Sequence, residues 1–373
     1  MENLNLIRYF GGVKTTREHN GYIHSVGRTL TIVILGTLCG LTELTEIYQW
    51  ATSPRTSMFM QEHFAISRIP CERWMRELLS IINPKSLNEC FTRWANKMLP
   101  KNLDDLTIVF DGKTIRSTTK MDEYDQPLHI LSAYLAEAGL TISQKTISEK
   151  SNEIPAMREL LKLIDVRGAM VTADALHCQT ETAKAIYTAG GDYLLCTKGN
   201  QDKLEKDIKA SVHDPDFHAT MESATTQEKN GGRIEIRTAF VSHNVSWMTN
   251  HLRKWQGLAC IGAINRRFTI GDKTSDEWHY CISSRKLTPD ELLKYARNEW
   301  AIESMHWLLD VHFKEDDCLI RNRNAAQNLN MIRKVALNYL RNFKNISGSK
   351  KPLSRLMFAC LLDLDFILKI IYC

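Results

Sequence analysis

Two aspartates stand where short apolar runs end. Asp111 closes the run Leu106–Phe110, and Asp174 closes the run Ala169–Ala173. Both runs are apolar and partly β-branched, which is typical of buried strands. Ligands of open α/β sheets bind beyond the carboxyl ends of the strands, so we expect the two carboxylates to lie at one sheet edge. Taken singly, each aspartate is also explained as turn or helix-capping chemistry.

A late helix offers further acids. It is predicted to begin with the capping box Thr288–Glu291 and to continue to about Phe313. Four polar side chains lie at helical spacing on one face: Glu299, Glu303, His306 and Asp310. A neighbouring, mostly apolar face contains Trp300, Ser304, Trp307 and Val311. We expect both tryptophans to pack in the core, with stacking on a flipped or frayed base as the alternative. A solvated polar face over a packed one explains the acids equally simply.

Neighbouring carboxylates repel each other unless a cation neutralises them. Magnesium and manganese ions are suited to this because they prefer oxygen ligands. With a third carboxylate from the late helix, such a site would hold two divalent ions about 3.5–4 Å apart, which clamp the attacking and leaving oxygens of a phosphodiester. The pattern therefore predicts metal-dependent phosphodiester chemistry.

The elements around these acids predict an α/β fold. Residues 1–100 have helical spacing with proline breakers, which indicates a helical accessory or DNA-binding domain. From Leu106 the order is strand, hairpin, helix, strand, helix, strand, which implies an RNase H-like mixed sheet flanked by helices. Residues of about 213–285 alternate and predict a mostly β insertion. The catalytic domain is then 101–345, and 346–373 is a C-terminal helical tail.

Local signals refine this outline. The two runs Leu128–Leu135 and Leu140–Ile147 predict the hairpin. Ser151 and Asn152 offer a cap for a helix through Ile164. Turns of the insertion are expected at the pairs Gly231-Gly232 and Gly271-Asp272.

The charge distribution permits a polyanionic partner. The formal net charge is +5, from 48 basic and 43 acidic residues. Past Asp317 no acid occurs until Asp363, and the segment between them contains Arg321, Arg323, Arg333, Lys334, Arg341, Lys344, Lys350, Lys351 and Arg355. A basic stretch of this kind suits phosphate contacts, although a solvated helix face gives the same pattern.

Cysteines and apolar runs indicate the compartment. None of the 10 cysteines forms a CxxC pair, so we expect reduced thiols in a cytoplasmic protein and neither a disulfide framework nor a zinc site. The apolar run Leu30–Leu41 is too short to span a bilayer, so no membrane partner is expected.

A series of motifs resembles the DDE transposases of bacterial insertion sequences, in the ISAs-type group that includes the H-repeat-associated proteins. The motifs occur in order: Asp111-Gly-Lys-Thr-Ile-Arg116, Glu149-Lys-Ser-Asn-Glu-Ile154, Thr172-Ala-Asp-Ala-Leu-His-Cys-Gln179, Lys198-Gly-Asn-Gln201, Gly232-Arg-Ile-Glu-Ile-Arg237, Arg297-Asn-Glu-Trp-Ala-Ile-Glu303, His306-Trp-Leu-Leu-Asp-Val311 and Glu315-Asp316 with Arg321. The segment from Ile69 to Trp94 also resembles the domain that precedes the catalytic core in that group.

The resemblance implies an RNase H-like core interrupted by a β insertion. It implies that Asp111, Asp174 and Glu303 are the catalytic acids and hold two divalent metal ions, Mg²⁺ or Mn²⁺. It also implies cleavage at element ends, strand transfer to target DNA, and a homodimer on double-stranded DNA in the bacterial nucleoid. Candidate phosphate contacts are Lys198, Arg233, Arg237, Arg297 and Arg321, for which surface salt bridges are the alternative.

Two positions depart from the family pattern. Glu299 stands where the family usually has histidine, and His177 where it usually has glycine. Extra negative charge at Glu299 could weaken DNA binding or disturb metal placement. Two alternatives therefore stay open: a catalytically impaired or domesticated DNA-binding relative, and a metal-dependent nuclease without strand transfer.

Overall fold

Two units divide the chain, and each is assembled from separate segments. The fold is that of a computed structural model, which describes residues 6–17, 24–120, 127–147, 153–230, 233–270 and 273–373. Unit 1 comprises Met1–Pro100, Gly112–Ser151 and Glu303–Cys373. Unit 2 comprises Lys101–Asp111 and Asn152–Ile302.

The α-helices of the described segments are α1 (Leu6–Phe10), α2 (Val26–Leu38), α3 (Leu44–Thr52), α4 (Pro54–Phe64), α5 (Glu72–Ile81), α6 (Pro84–Ala95), α7 (Glu153–Leu160), α8 (Thr180–Thr188), α9 (Asp202–His213), α10 (Pro215–His218), α11 (Thr249–Leu252), α12 (Pro289–Glu299), α13 (Ala301–Phe313), α14 (Arg323–Ser347), α15 (Leu353–Leu362) and α16 (Leu364–Ile371). The strands are β1 (Thr107–Ile115), β2 (Leu128–Leu135), β3 (Leu140–Ile147), β4 (Met170–Ala173), β5 (Asp192–Thr197), β6 (Glu222–Asn230), β7 (Arg233–Ser242), β8 (Cys260–Ile270) and β9 (Lys273–Ser283).

Unit 1 is organised around the long helix α14. This helix packs against α2, α5, α6 and β3, and most of its residues are buried. Trp94 of α6 donates its indole N–H to the Tyr339 hydroxyl at 3.2 Å, and both side chains are buried. Prolines occupy the first positions of α4 and α6, where a missing N–H removes no helical bond. The predicted helical character of the first 100 residues is confirmed.

The predicted hairpin of unit 1 is confirmed. Strands β2 and β3 pair antiparallel from His129–Ile147 to Leu135–Leu140. Gly139 closes the loop with φ +69°, a conformation that favours glycine. Asn338 of α14 holds β3 by donating to the Thr141 carbonyl at 2.8 Å and accepting from its amide at 2.9 Å.

The nine strands follow the order β3-β2-β1-β4-β5-β9-β8-β7-β6 in one mixed sheet. Strands β1, β4 and β5 pair in parallel, because helical crossovers connect them. Strand β9 then pairs antiparallel with β5, and β8, β7 and β6 continue as a meander. This is the RNase H-like mixed sheet flanked by helices that the sequence predicts, with the β insertion where it was expected.

Three details differ from the expectations or lie outside the description. Strand β1 continues through Asp111 to Ile115, so this aspartate is inside a strand and does not begin a turn. Helix α7 ends at Leu160 and not at Ile164, because the chain continues in turns there. The expected cap at Ser151 and Asn152 and the turns at Gly231-Gly232 and Gly271-Asp272 lie outside the described residues, as does most of the Glu149–Ile154 motif.

The late helix begins as predicted but is interrupted. Thr288 and Glu291 form the capping box, with the Thr288 amide donating to the Glu291 carboxylate at 2.7 Å. Trp300 then donates its amide to Arg297, three residues back, so the regular helical ladder breaks and α13 starts at Ala301. The prediction of one continuous helix is therefore wrong: Glu299 ends α12, whereas Glu303, His306 and Asp310 keep their helical spacing on α13.

No helix in the described segments combines the length and the apolar character that crossing a bilayer requires.

Candidate active site

Unit 2 brings two of the predicted acids to adjacent strands. The parallel pairing of β1 and β4 runs to the partners Phe110 and Ala173, and the next residues are Asp111 and Asp174. Side chains at equal register of neighbouring parallel strands project from the same sheet face. The Asp174 side chain is 58% exposed, and Asp111 is half-buried. The two aspartates are therefore the residues that directly follow the last pair of the β1–β4 ladder.

Asp174 also caps a short turn. Its Oδ1 accepts the Leu176 amide at 3.1 Å at the start of the 3-10 helix Ala175–His177. Buried His177 places its Nε2 3.2 Å from the Glu153 carboxylate and 4.0 Å from Asp174 Oδ1. The imidazole that replaces the family's glycine thus connects the turn carrying Asp174 to helix α7.

Glu299 lies against the same strand. Its Oε2 accepts a hydrogen bond from the Thr172 hydroxyl at 3.1 Å, and Thr172 precedes Asp174 by two residues on β4. The neighbouring Asn298 donates to the Thr107 hydroxyl on β1 at 2.8 Å. The end of α12 is thereby held across β1 and β4. Sequence reasoning missed this contact, since the partners Thr172 and Glu299 are 127 residues apart.

Glu303 belongs to unit 1, in the first turn of α13, and is exposed. Trp307 follows one turn later and is 58% exposed, while Trp300 of unit 2 is 51% exposed. The prediction that both tryptophans pack in the core is wrong. The buried residues of α13 are instead Ile302, Met305, Leu308, Leu309 and Phe313. The exposed side of this helix thus offers a carboxylate and an indole one turn apart.

The candidate phosphate contacts differ in their surroundings. Lys198 and Arg321 are exposed. Arg237 lies 2.7 Å from Glu235 and 3.6 Å from Glu228. Arg297 also pairs with Glu228, so a phosphate at Arg237 or Arg297 would have to replace this carboxylate. The side chain of Arg233 lies outside the described residues.

Part of the basic stretch faces the interior. Arg333 and Lys334 are 4% and 2% exposed, which removes both from a solvent-facing DNA surface. The Lys334 ammonium donates to Ser132 Oγ at 2.8 Å and Gln144 Oε1 at 2.7 Å. Burial lowers the pKa of Lys334 to about 7 and that of His306 to about 3, so the imidazole is neutral at physiological pH.

The lowered pKa of Lys334 predicts a pH effect on stability. Between pH about 7 and its ordinary 10.5, the unfolded chain binds one more proton at this lysine than the folded chain. The free energy of unfolding should therefore rise with pH, by about 2 kcal/mol from pH 7 to pH 9. Urea denaturation of wild type and Lys334→Met at both values measures this. Equal pH dependence in the two proteins would refute the assignment.

The donor set of the paired aspartates fits a hard divalent cation. Both supply anionic oxygens, the ligands that magnesium and manganese prefer. Exposure of the Asp174 side chain leaves its carboxylate open to a ligand. Within the described residues, no three His, Cys, Asp or Glu side chains are already arranged as a metal cluster.

Comparisons with known proteins identify the family. A family model described as "Transposase DDE domain" matches residues 102–339, and a model described as "DDE_Tnp_1-associated" matches residues 7–95. The Escherichia coli K12 protein YbfL is 30% identical over 381 residues, which cover 100% of this chain and 98% of YbfL. The "H repeat-associated putative transposase YhhI" of the same organism is 33% identical over 313 residues, or 81% of each chain.

Among solved structures, a piggyBac transposase in a synaptic complex with hairpin DNA is similar at 10% identity and a TM-score of 0.49, over 98% of this chain and 78% of that one. The DDE-domain match alone covers more than half of the sequence, and it includes Asp111, Asp174 and Glu303. The chain belongs to the DDE transposases of bacterial insertion sequences, in the group that includes the H-repeat-associated proteins.

Proposed function

We propose that this transposase is catalytically active: it hydrolyses the phosphodiester bond at the ends of its element and joins the freed 3′-hydroxyl to target DNA. The observation that supports the proposal best is that Asp111 and Asp174 directly follow the last pair of the parallel β1–β4 ladder. Glu303, in the motif that matches the family's last acid, is the proposed third catalytic residue.

The three carboxylates are the proposed ligands of two Mg²⁺ or Mn²⁺ ions. When bound, such ions activate a water or hydroxyl nucleophile and stabilise the leaving oxygen. The protein's own part is to hold anionic oxygens on rigid elements, because ligand placement decides the geometry of the reaction. Strand β1 places Asp111, and the 3-10 turn anchored by His177 and Glu153 places Asp174. Glu303 projects from α13 into solvent, where a phosphodiester can approach it.

Double-stranded DNA is the proposed partner, as element ends and as target. Exposed Lys198 and Arg321 would contact phosphates, and Arg233, Arg237 and Arg297 are further candidates. The exposed Trp307 offers a ring on which an unpaired base can stack next to Glu303. The proposal includes a homodimer on DNA and a cytoplasmic, nucleoid-associated location.

DNA affinity should fall steeply with salt. Each phosphate neutralised by a lysine or arginine releases counterions, so the logarithm of the binding constant falls by about 0.9 per contact for each tenfold rise in salt. Four or more contacts give a slope of about −4 or steeper. Fluorescence anisotropy of labelled element-end DNA from low to physiological salt measures it. A flat response would argue against the basic residues as a DNA surface.

An assay for the joining of cut DNA ends to a plasmid distinguishes this proposal from its alternatives. Wild type is incubated with element-end DNA, a supercoiled plasmid and Mg²⁺ or Mn²⁺, and the products are resolved on gels. An active transposase yields cut ends joined to the plasmid. Cut ends without joined products indicate a metal-dependent nuclease. DNA binding without cleavage indicates an impaired or domesticated copy, for which the extra charge of Glu299 beside β4 is the favouring observation.

A further inference from the structure

A lysine of unit 1 joins strand β1 to helix α13. Lys113 is two residues beyond Asp111, so the two side chains project from the same face of the strand. Its ammonium lies 2.7 Å from Glu315 Oε2 and also donates to Asp310 Oδ1. The Lys113 side chain is 13% exposed and Glu315 is fully buried. One cation therefore binds two carboxylates, of which Glu315 is fully buried and Asp310 is partly exposed.

Both carboxylates belong to α13 or to the turn that follows it. Asp310 lies on the helix itself, two turns after Glu303. Beyond the helix end, Lys314 adopts φ +50° and the Glu315 amide donates to the Leu309 carbonyl at 3.2 Å. This left-handed turn closes the helix and directs Glu315 inward. Lys113 thus contacts the last turns of α13 and the residue that ends it.

Further contacts stabilise the buried carboxylate of Glu315. Glu315 Oε1 accepts the Asn330 side-chain amide of α14 at 2.6 Å. Burial alone would raise the pKa of Glu315, but Lys113 and Lys334 outweigh it and lower the pKa. The Glu315 carboxylate is therefore held inside the protein by the Lys113 ammonium on one oxygen and the Asn330 amide on the other.

A buried ion pair of this kind is a poor source of net stability. Replacing such a pair by well-packed apolar groups is often neutral or stabilising, whereas the charges accept only a narrow range of geometries. In some proteins such charges fix the register of the elements that they join. Here the elements are the end of β1 that carries Lys113 and the helix α13, both in unit 1.

We propose that Lys113 is a positioning residue: by binding Asp310 and Glu315, it fixes α13 within unit 1 and so holds Glu303, a proposed metal ligand, in one position in that unit. The inference rests on the proposed function, because it assumes that Glu303 and Asp111 bind metal. Lys113 itself contacts neither DNA nor metal in this role.

The direction in which Mn²⁺ affinity changes when Lys113 is removed distinguishes a positioning role from a purely electrostatic one. If Lys113 were only a cation near the acids, its removal would relieve repulsion and strengthen the binding of Mn²⁺. If it positions α13, its removal should weaken Mn²⁺ binding, by about 10-fold or more, as for other residues that orient metal ligands.

The test compares two buried lysines of unit 1 with the same substitution. Calorimetric Mn²⁺ titration of the full chain is carried out on wild type, Lys113→Met and Lys334→Met, with amide hydrogen exchange of residues 303–313 measured in parallel. We expect Lys113→Met to bind Mn²⁺ about 10-fold more weakly and to exchange faster in α13. Lys334 also acts electrostatically on Glu315, but its hydrogen bonds go to Ser132 of β2 and Gln144 of β3. Its variant thus removes a nearby charge without removing the link to α13, and it should keep the wild-type affinity within about 2-fold.

Unchanged or tighter Mn²⁺ binding by Lys113→Met, with unchanged exchange in α13, overturns the inference. If this variant does not fold, Asp310→Ala is the substitute, because it removes the carboxylate on α13 that binds Lys113 at a partly exposed position. It should weaken Mn²⁺ binding by the same factor. An Asp111→Ala protein that binds Mn²⁺ like wild type contradicts the proposed function instead. In that case the exchange of α13 alone decides whether Lys113 holds the helix.

Discussion

Glu303→Gln should abolish cleavage of element-end DNA, with a rate loss on the order of 10³-fold or more, and leave folding and DNA binding intact. Glutamine keeps the shape of the side chain and removes the charge that a metal ligand needs. Glu303 is exposed on α13, whose buried side includes Met305 and Leu309, so packing is not disturbed. DNA binding should stay equal or rise slightly, because repulsion between carboxylate and phosphate is relieved.

Glu299→Gln is the matched control. It removes the same charge from the last residue of α12, whose carboxylate accepts the Thr172 hydroxyl beside β4. Glutamine retains an oxygen that can accept this bond, so we expect a far smaller rate loss. Single-turnover cleavage at saturating DNA measures both variants. If Glu299→Gln is the inactive protein and Glu303→Gln cleaves normally, the third acid is Glu299, whose carboxylate accepts the hydroxyl of Thr172 on the strand that leads to Asp174.

Glu315→Ala should lower the free energy of unfolding by about 3–5 kcal/mol, because it leaves the Lys113 ammonium without its buried counter-ion. The Glu315 pKa is lowered in the folded chain, so its favourable contribution exists above the ordinary glutamate pKa and is lost as the pH falls through the folded value. The difference between wild type and variant should therefore shrink in acid. Urea denaturation at neutral and acidic pH measures both effects.

The control for this prediction is an exposed ion pair of the same unit. Arg17 and Glu77 lie 3.3 Å apart with side chains 64% and 43% exposed. Such pairs contribute little, so Glu77→Ala should change stability by well under 1 kcal/mol. Equal effects of the Glu315 and Glu77 substitutions would mean that burial does not strengthen the Lys113–Glu315 pair.

Elements with a strong local signal were predictable from the sequence. Apolar runs before Asp111 and Asp174 predicted β1 and β4, and the parallel ladder joins them as expected. The capping box Thr288–Glu291 located the start of α12 because its two reciprocal bonds lie within one turn. The hairpin and the β insertion followed from alternation and turn residues.

The features that the sequence did not predict depend on contacts between distant segments. Helical spacing could not show which side of α13 is buried, so Trp307 was assigned to the core although it is exposed. The helix is interrupted at Trp300, where the sequence has no glycine or proline that would predict a break. Lys113 and Glu315 are 202 residues apart, and no local pattern distinguishes this buried pair from two surface charges.

The most direct test of the catalytic account is cleavage of labelled element-end DNA by wild type and Asp111→Ala, with Mg²⁺, with Mn²⁺ and with a chelator. We predict that wild type cleaves only with the metal ion, and that Asp111→Ala binds the DNA without cleaving it. Wild type that binds the DNA but cleaves with neither metal would contradict this prediction, as would an Asp111→Ala protein that cleaves at the wild-type rate.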